Sequence, residues 1–430
     1  MPALPPLPYN AVICRYNEIA TKGRNRHYFV EHLSQSLRNR LNSLGRLRFE
    51  LEHSRIFFRP AEDGQSFDAE ALRVLREETP TIPGVSSLSP GFLVKPDLED
   101  IQRTVLAYYP EILRAIQAPA DRPLAYAMRV RRSDKSFPMT AQELEMHFAR
   151  LILQANPGLR IDLKHADLLI EVEIRHERAF ISFERIPGAG GLPAGTAGKV
   201  LAMLSGGFDS PVACYEMMRR GCHVDFITFH SSPYTPPATL AKVVRLVRQL
   251  NTFQKRGCLI AVNLLPAQKA IRDACLSKHR TVLYRRLMLR LSALTAGALR
   301  AQALVTGDNL GQVASQTLAN MAIINHATDM MVLRPLLTFD KLDTMAVARR
   351  IQTYDISQED VPDSCTVFAP TDPTTAACLG PVLADEAKLD MDGLIAQCCE
   401  RTTMVTPRKL VEHPWNPLAP GPLSPVPTNQ

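Results

Sequence analysis

At 430 residues the chain is too long for one ordinary core, so two to four domains are expected. Its net charge of +7 is unevenly placed, with ten Lys or Arg against four Glu in residues 1–60, which fits a polyanion-facing first module. Nine cysteines without a repeated C-x-x-C argue against a zinc site or a disulfide framework and suit a reducing, cytoplasmic setting, while no run approaches the ~18–20 apolar residues of a membrane span and the start M-P-A-L-P-P-L-P-Y has no signal-peptide pattern.

In chain order, residues 10–15 read as a strand, about 27–44 as an amphipathic helix, 47–53 and 54–59 as strands, and 69–77 as a helix. This is a small α+β unit over residues 1–79. Lys22, Arg24 and Arg26 stand in the loop entering its first helix, where basic side chains can reach phosphate oxygens. A Pro-rich stretch, T-P-T-I-P-G, is expected to be a hinge at about residue 80. A second α+β unit runs to residue 188. It has a helix over 98–115, a strand over 124–130, the basic loop R-R-S-D-K-S-F-P, a helix over 140–154 and strands over 160–163, 167–175 and 178–184. Thr140 and Glu143 have the spacing of a capping box for that second helix. Five glycines in the thirteen residues I-P-G-A-G-G-L-P-A-G-T-A-G make a connector.

From residue 199 strands and helices alternate, as in a doubly wound parallel sheet whose ligands sit beyond the carboxyl ends of its strands. Those ends supply residues 205–210, Thr228 with Phe229, and T-G-D-N at 306–309. The most informative stretch is V-L-A-M-L-S-G-G-F-D-S-P-V-A, read as a buried strand, a small-residue loop and a helix with Ser210 as N-cap and Pro211 in first position. Without Cβ atoms, Gly206 and Gly207 let backbone N–H groups approach an anion at a helix N-terminus. Asp209 would repel phosphate unless it meets a divalent metal or orients the loop. No Gly-Lys-Ser/Thr follows, so this is not a Walker A loop. The nucleotide domain is placed at 189–400, and seven prolines in residues 401–430 predict a disordered or surface-pinned strip, not a packed domain.

The full S-G-G-F-D-S resembles the loop of the N-type ATP pyrophosphatases. Several co-linear segments narrow the likeness to the tRNA 4-thiouridine synthetases of the ThiI type, between about residues 9 and 370. They are R-Y-N-E-I-A-T-K-G-R-N-R, R-R-S-D-K-S-F-P, E-R-I-P-G-A-G-G-L-P-A-G-T-A-G-K-V, the loop itself, Y-R-R-L-M-L-R, V-T-G-D-N-L-G-Q-V-A-S-Q-T-L-A-N and V-L-R-P-L. The resemblance implies a multidomain α/β and α+β protein: an N-terminal ferredoxin-like domain, a THUMP domain and a PP-loop ATP pyrophosphatase domain. It implies ATP with Mg²⁺, a tRNA partner, and replacement of O4 of the uridine at position 8 by sulfur. A cysteine desulfurase as sulfur donor and a part in thiamine biosynthesis are implied in the same way. Carried over by position, Met203, Leu204, Thr228 and Phe229 would surround adenine, Ser205, Gly206, Gly207, Asp209 and Ser210 would hold pyrophosphate, and Arg285, Gly307 and Gln316 would complete the nucleotide contacts. Asp209 and Cys365 would be catalytic, Cys365 carrying a persulfide. The RNA contacts would come from Lys22, Arg24, Arg26, Arg129, Arg131, Arg132 and Lys135.

The sequence departs from the family at Asp308-Asn309, where Glu-Ser is common, and at Thr228, where His is frequent. No C-terminal rhodanese domain is expected, so a second redox cysteine must be sought among Cys378, Cys398 and Cys399. No cysteine spacing typical of an iron–sulfur cluster is visible. A homodimer stays open. So do two rival functions, an adenylating ligase acting on a small molecule and a tRNA-binding protein without catalysis.

Overall fold

Strand β1 (Ala11–Arg15) is buried along its whole length, as a central strand must be. In the computed structural model, which describes residues 4–52, 55–116, 122–362, 367–407 and 410–420, it lies inside a nine-stranded sheet of the described residues. On one side come β2 (Leu47–Glu52) and β3 (Arg55–Pro60), with Val12 opposite Phe58. On the other comes β4 (Ser87–Val94), followed by a second group, β5 (Ala125–Arg132), β6 (Arg160–Ile161), β7 (Leu168–Ile174), β8 (Ala179–Ser182) and the short β9 (Ile186–Pro187). The order is β2-β3-β1-β4-β8-β7-β5-β6, with β9 on β4. Helices α1 (Arg26–Arg40), α2 (Ala69–Arg73), α3 (Leu98–Ala115) and α4 (Ala141–Ala155) accompany it. Thr140 and Glu143 form the capping box their spacing predicts.

β4 is absent from the sequence reading, because Pro90 and Gly91 interrupt it with residue types depleted from strands. Tertiary packing requires Gly91: a Cβ there would meet the Ile181 carbonyl oxygen at 2.4 Å. Since β4 pairs with β1 on one side and β8 on the other, one sheet runs through both groups. The stretch expected to be a hinge at residue 80 is no exposed connector. Thr79, Thr81 and Ile82 are buried.

The chain divides into two compact units, Met1–Gly191 and Leu192–Gln430. In the second, β10 (Lys199–Met203), β11 (His223–His230), β12 (Leu259–Asn263), β13 (Ala303–Val305) and β14 (Val332–Leu333) are parallel. They alternate with α5 (Asp209–Arg219), α6 (Pro237–Leu250), α7 (Leu265–Ala274), α8 (Arg280–Ala298) and α9 (Leu318–Asn325), followed by α10 (Lys341–Arg350), α11 (Tyr354–Gln358), α12 (Leu379–Glu386) and α13 (Met391–Glu400). Leu201, Ile227, Ile260 and Leu304, all fully buried, hold the sheet's core. The described part of the Pro-rich tail follows the pinned alternative of the sequence reading, though as paired strands and not as an irregular strip. Residues 402–406 form β15 (Thr402–Thr406), antiparallel to β12, and β16 (Val411–Pro414) pairs with β15, giving the order β14-β13-β10-β11-β12-β15-β16. Among the described residues no helix is long and apolar enough to cross a membrane.

Candidate active site

The chain leaves β10 toward β11 and β12 on one side and returns to β13 and β14 on the other, so the sheet's topological switch lies between β10 and β13. Neighbouring loops diverge there and leave a crevice. The loop after β10 occupies it. Ser210 is not the N-cap the sequence suggested: α5 begins at Asp209 with Phe208 as its cap residue, and no side chain caps it. The Ser210 hydroxyl instead accepts from the Ser205 N–H (2.9 Å), lies 3.1 Å from the Ser205 hydroxyl and donates to the Ser205 carbonyl (3.3 Å). Folding the loop on itself in this way leaves the first N–H groups of α5 without a side-chain partner, the arrangement that receives an anion. A Cβ at Gly207 would meet nothing closer than 3.7 Å, so the chain's own packing does not demand glycine there. Gly307 differs: a Cβ would strike the Ser210 nitrogen at 2.7 Å, so β13's loop must carry glycine to pass the start of α5.

An open cavity of ≈ 160 Å³ is lined by Met203, Leu204, Ser205, Asp209, Ser210, Thr228, Phe229, Arg285, Met288, Thr306, Gly307, Asp308 and Gln316. Ten of these are candidates from the sequence, gathered from the ends of β10, β11 and β13, from α8 and from the helical turn Ala314–Gln316. Gly206 and Gly207 do not line it and form the turn beside it. The volume is below the ~300–1,000 Å³ of a typical ligand pocket, so a nucleotide would be enclosed only in part.

Asp308, which the sequence reading placed at a strand end but not among the site residues, organises the far wall. Asp308 is buried and accepts hydrogen bonds from Thr306 (2.7 Å), Arg334 (3.3 Å) and Gln316 (3.4 Å), and it pairs with Arg285. Burial alone would raise its pKa, but Arg285, Thr306 and Arg334 outweigh burial and hold it below the ordinary carboxylate value. Asp209 behaves oppositely. Desolvation raises its pKa and Asp308 adds to the rise, against a hydrogen bond from Gln312 (3.3 Å) and the charge of Lys341. Signals for the missed residues existed: Met288 is one helical turn beyond Arg285, Asp308 lies in T-G-D-N and Arg334 in V-L-R-P-L.

In the first unit, Arg24 and Arg26 line a cavity of ≈ 720 Å³ with His27, Gln35 and Arg38, between the start of α1 and β2. Lys22 is half-buried, its ammonium 5.4 Å from the Phe29 ring centre. Arg129 and Arg131 are exposed on β5, two residues apart and so on one face, and Lys135 is exposed in the loop beyond. Arg132 is committed elsewhere: it donates to the carbonyls of Phe137 (2.9 Å) and Met139 (3.0 Å) and pins that loop.

Cys365 lies outside the described residues. Of the other candidate cysteines only Cys378 is exposed, immediately before α12. Cys398 and Cys399 are fully buried in α13, and burial pushes their thiols up to about 12 and about 11, which makes both poor nucleophiles.

Comparison with known proteins places the chain in a family. Residues 195–391 match the family described as Thiamine biosynthesis protein (ThiI), 11–89 the ThiI ferredoxin-like domain and 95–184 the THUMP domain. The chain is 37% identical to a probable tRNA sulfurtransferase of Brevibacillus brevis, over 92% of this chain and 95% of that one. A protein of the same name from Moorella thermoacetica is also 37% identical, over 93% and 98%. Among solved structures, a 4-thiouridine synthetase in complex with RNA and bound ATP superposes with a TM-score of 0.77 at 31% identity, covering 92% of this chain and 99% of that one. On the order of its domains, the loop at its switch point and this likeness along nearly the whole chain, the protein belongs to the ThiI family of tRNA sulfurtransferases.

Proposed function

We propose that the protein is an ATP-dependent tRNA uracil 4-sulfurtransferase, which adenylates O4 of the uridine at position 8 and replaces that oxygen with sulfur. The observation that carries this reading is the convergence of the S-G-G-F-D-S loop, Arg285, Gly307 and Gln316 on one cavity at the switch point of the sheet. Apolar strand ends at Met203, Leu204 and Phe229 suit an adenine ring. The loop amides and Arg285 suit phosphate, with Asp308 orienting the guanidinium.

Asp209 fits a role at a magnesium ion. Its half-buried carboxylate carries a raised pKa from desolvation and from Asp308, a combination that a nearby divalent cation offsets. No group of three or more His, Cys, Asp or Glu among the described residues has metal-binding geometry, so a cation held by Asp209 would take its other ligands from phosphate and water, as Mg²⁺ does. When bound, the ion would neutralise charge on the phosphates.

In the first step O4 of uracil attacks the α-phosphorus and pyrophosphate leaves. In the second, the terminal sulfur of a Cys365 persulfide, charged by a cysteine desulfurase, attacks C4. AMP departs with the oxygen, and a second thiolate takes up the Cys365 sulfur as a disulfide while the thiocarbonyl is released. Exposure favours Cys378 over Cys398 and Cys399 for the second thiolate. Lys22, Arg24, Arg26, Arg129, Arg131 and Lys135 offer the cations for tRNA phosphates. A small-molecule ligase would have no use for a first unit that presents Arg24, Arg129, Arg131 and Lys135 to solvent.

The test is a reaction of the purified protein with ATP, tRNA lacking 4-thiouridine, a cysteine desulfurase and cysteine, followed for pyrophosphate, AMP and 4-thiouridine on one sample. All three products are expected. Cys365→Ser should still release pyrophosphate but form neither AMP nor 4-thiouridine beyond slow hydrolysis of the adenylate, since a hydroxyl cannot hold sulfane sulfur. Full thiolation by that variant with the desulfurase as the sole sulfur source would remove Cys365 from the chemistry.

A further inference from the structure

Lys242, on α6, does not line the nucleotide cavity, yet it is only 5% exposed. Its ammonium donates to the backbone carbonyls of Ser357 (3.0 Å) and Glu359 (2.7 Å), at the end of α11 where helical carbonyls run out of N–H partners. Its stem passes beside the phosphate loop, with Cδ 3.2 Å from where a Cβ on Gly206 would stand. The Ser357 hydroxyl donates to the Gly207 carbonyl (3.2 Å), and the rings of Phe208 and Tyr354 lie 5.1 Å apart. Three consecutive loop residues thus touch either residues 354–362 or the lysine that holds them. The same strap is tied to α6 by the Arg245–Glu359 ion pair and by a hydrogen bond from Thr239 to the Pro362 carbonyl (2.9 Å).

Burying an ammonium is costly, and an apolar side chain of similar length would fill the space without that cost. What the charge adds is a fixed distance between the strap and the loop. Beyond Pro362 the chain leads, three residues on, to Cys365. We propose that Lys242 is a positioning residue that fastens the strap to the phosphate loop, so that adenylation and sulfur delivery occur in one geometry. This rests on the sulfurtransferase reading above.

The experiment measures pyrophosphate and 4-thiouridine in the same reactions for the wild type, Lys242→Met, Lys242→Arg and Ser357→Ala, with the desulfurase as donor. The wild type should make close to one 4-thiouridine per pyrophosphate. Lys242→Met should lower that ratio by about fivefold or more, Ser357→Ala by about twofold, and Lys242→Arg should restore most of it. A lysine that only supports folding would lower both products in parallel and leave the ratio unchanged, which would overturn the proposal. If Lys242→Met does not fold, Ser357→Ala carries the decision, because it deletes one hydroxyl and keeps the lysine; an unchanged ratio there overturns the proposal too. A wild type that makes neither product would refute the sulfurtransferase reading itself, a result visible before any variant is compared.

Discussion

Asp209 and Asp308 are near neighbours with opposite electrostatics, and the difference assigns them different work. Asp308 has bought its charge with three donors and Arg285. Asp308→Asn should therefore release Arg285, cost about 1–3 kcal/mol of stability through unsatisfied buried partners, and raise the KM for ATP. Thermal unfolding and ATP titration of AMP release would check this. Asp209 carries a charge that Gln312 and Lys341 compensate only in part. An acid whose pKa is higher in the folded than in the unfolded state costs stability above its folded pKa and nothing below its unfolded one. With Asp209 raised above 3.8, Asp209→Asn should increase Tm at pH 7 while abolishing AMP formation. A fall in Tm would show that the carboxylate is structural. Gly307→Ala would drive a methyl into the backbone at the start of α5, at an expected cost of about 1–3 kcal/mol with loss of nucleotide binding.

Elements set which side chains can react. α13 presents Cys398 and Cys399 inward, while Cys378 stands exposed before α12. A brief pulse of a thiol reagent on the native protein, read by peptide mass, should label Cys378 and spare the pair in α13, which should react only on unfolding. Early labelling of Cys398 or Cys399 would return them as partners of Cys365. The β15–β16 hairpin guards another vulnerable place. Val405, 2% exposed, pairs with Leu259 on β12, so truncation after Arg401 would open a long apolar edge. Loss of soluble, cooperatively unfolding protein is expected from that truncation. An unchanged unfolding transition would mean the hairpin is dispensable.

At the scale of the molecule, the unit Met1–Gly191 has its own continuous sheet and carries the proposed RNA contacts. Residues 1–191 alone should bind tRNA. If four phosphates are neutralised, affinity should fall about 100-fold between 50 and 200 mM salt. Binding measured at both salts decides the matter, and an affinity insensitive to salt, or confined to residues 192–430, would contradict the assignment.

Periodicity and short motifs were enough to read both units' fold class, the parallel order of β10 to β13 and the strand-end loops of the cavity wall, because these depend on residues close in sequence: an apolar run, a small-residue loop, a helix start. Met203, Leu204, Arg285 and Gln316 came from the family resemblance. Three things required the folded chain. β4 is a strand because its neighbours supply hydrogen bonds and space that Pro90 and Gly91 by themselves discourage. Residues 402–406 are a strand because β12 offers them an edge, whatever the prolines after them suggest. Asp308, Met288 and Arg334 belong to the site because α8, β13 and β14 bring them there, and no local pattern encodes a contact between residues 26 positions apart. Local sequence determines which backbone shapes are cheap, and long-range pairing decides which of them are adopted and which charges end up facing one another.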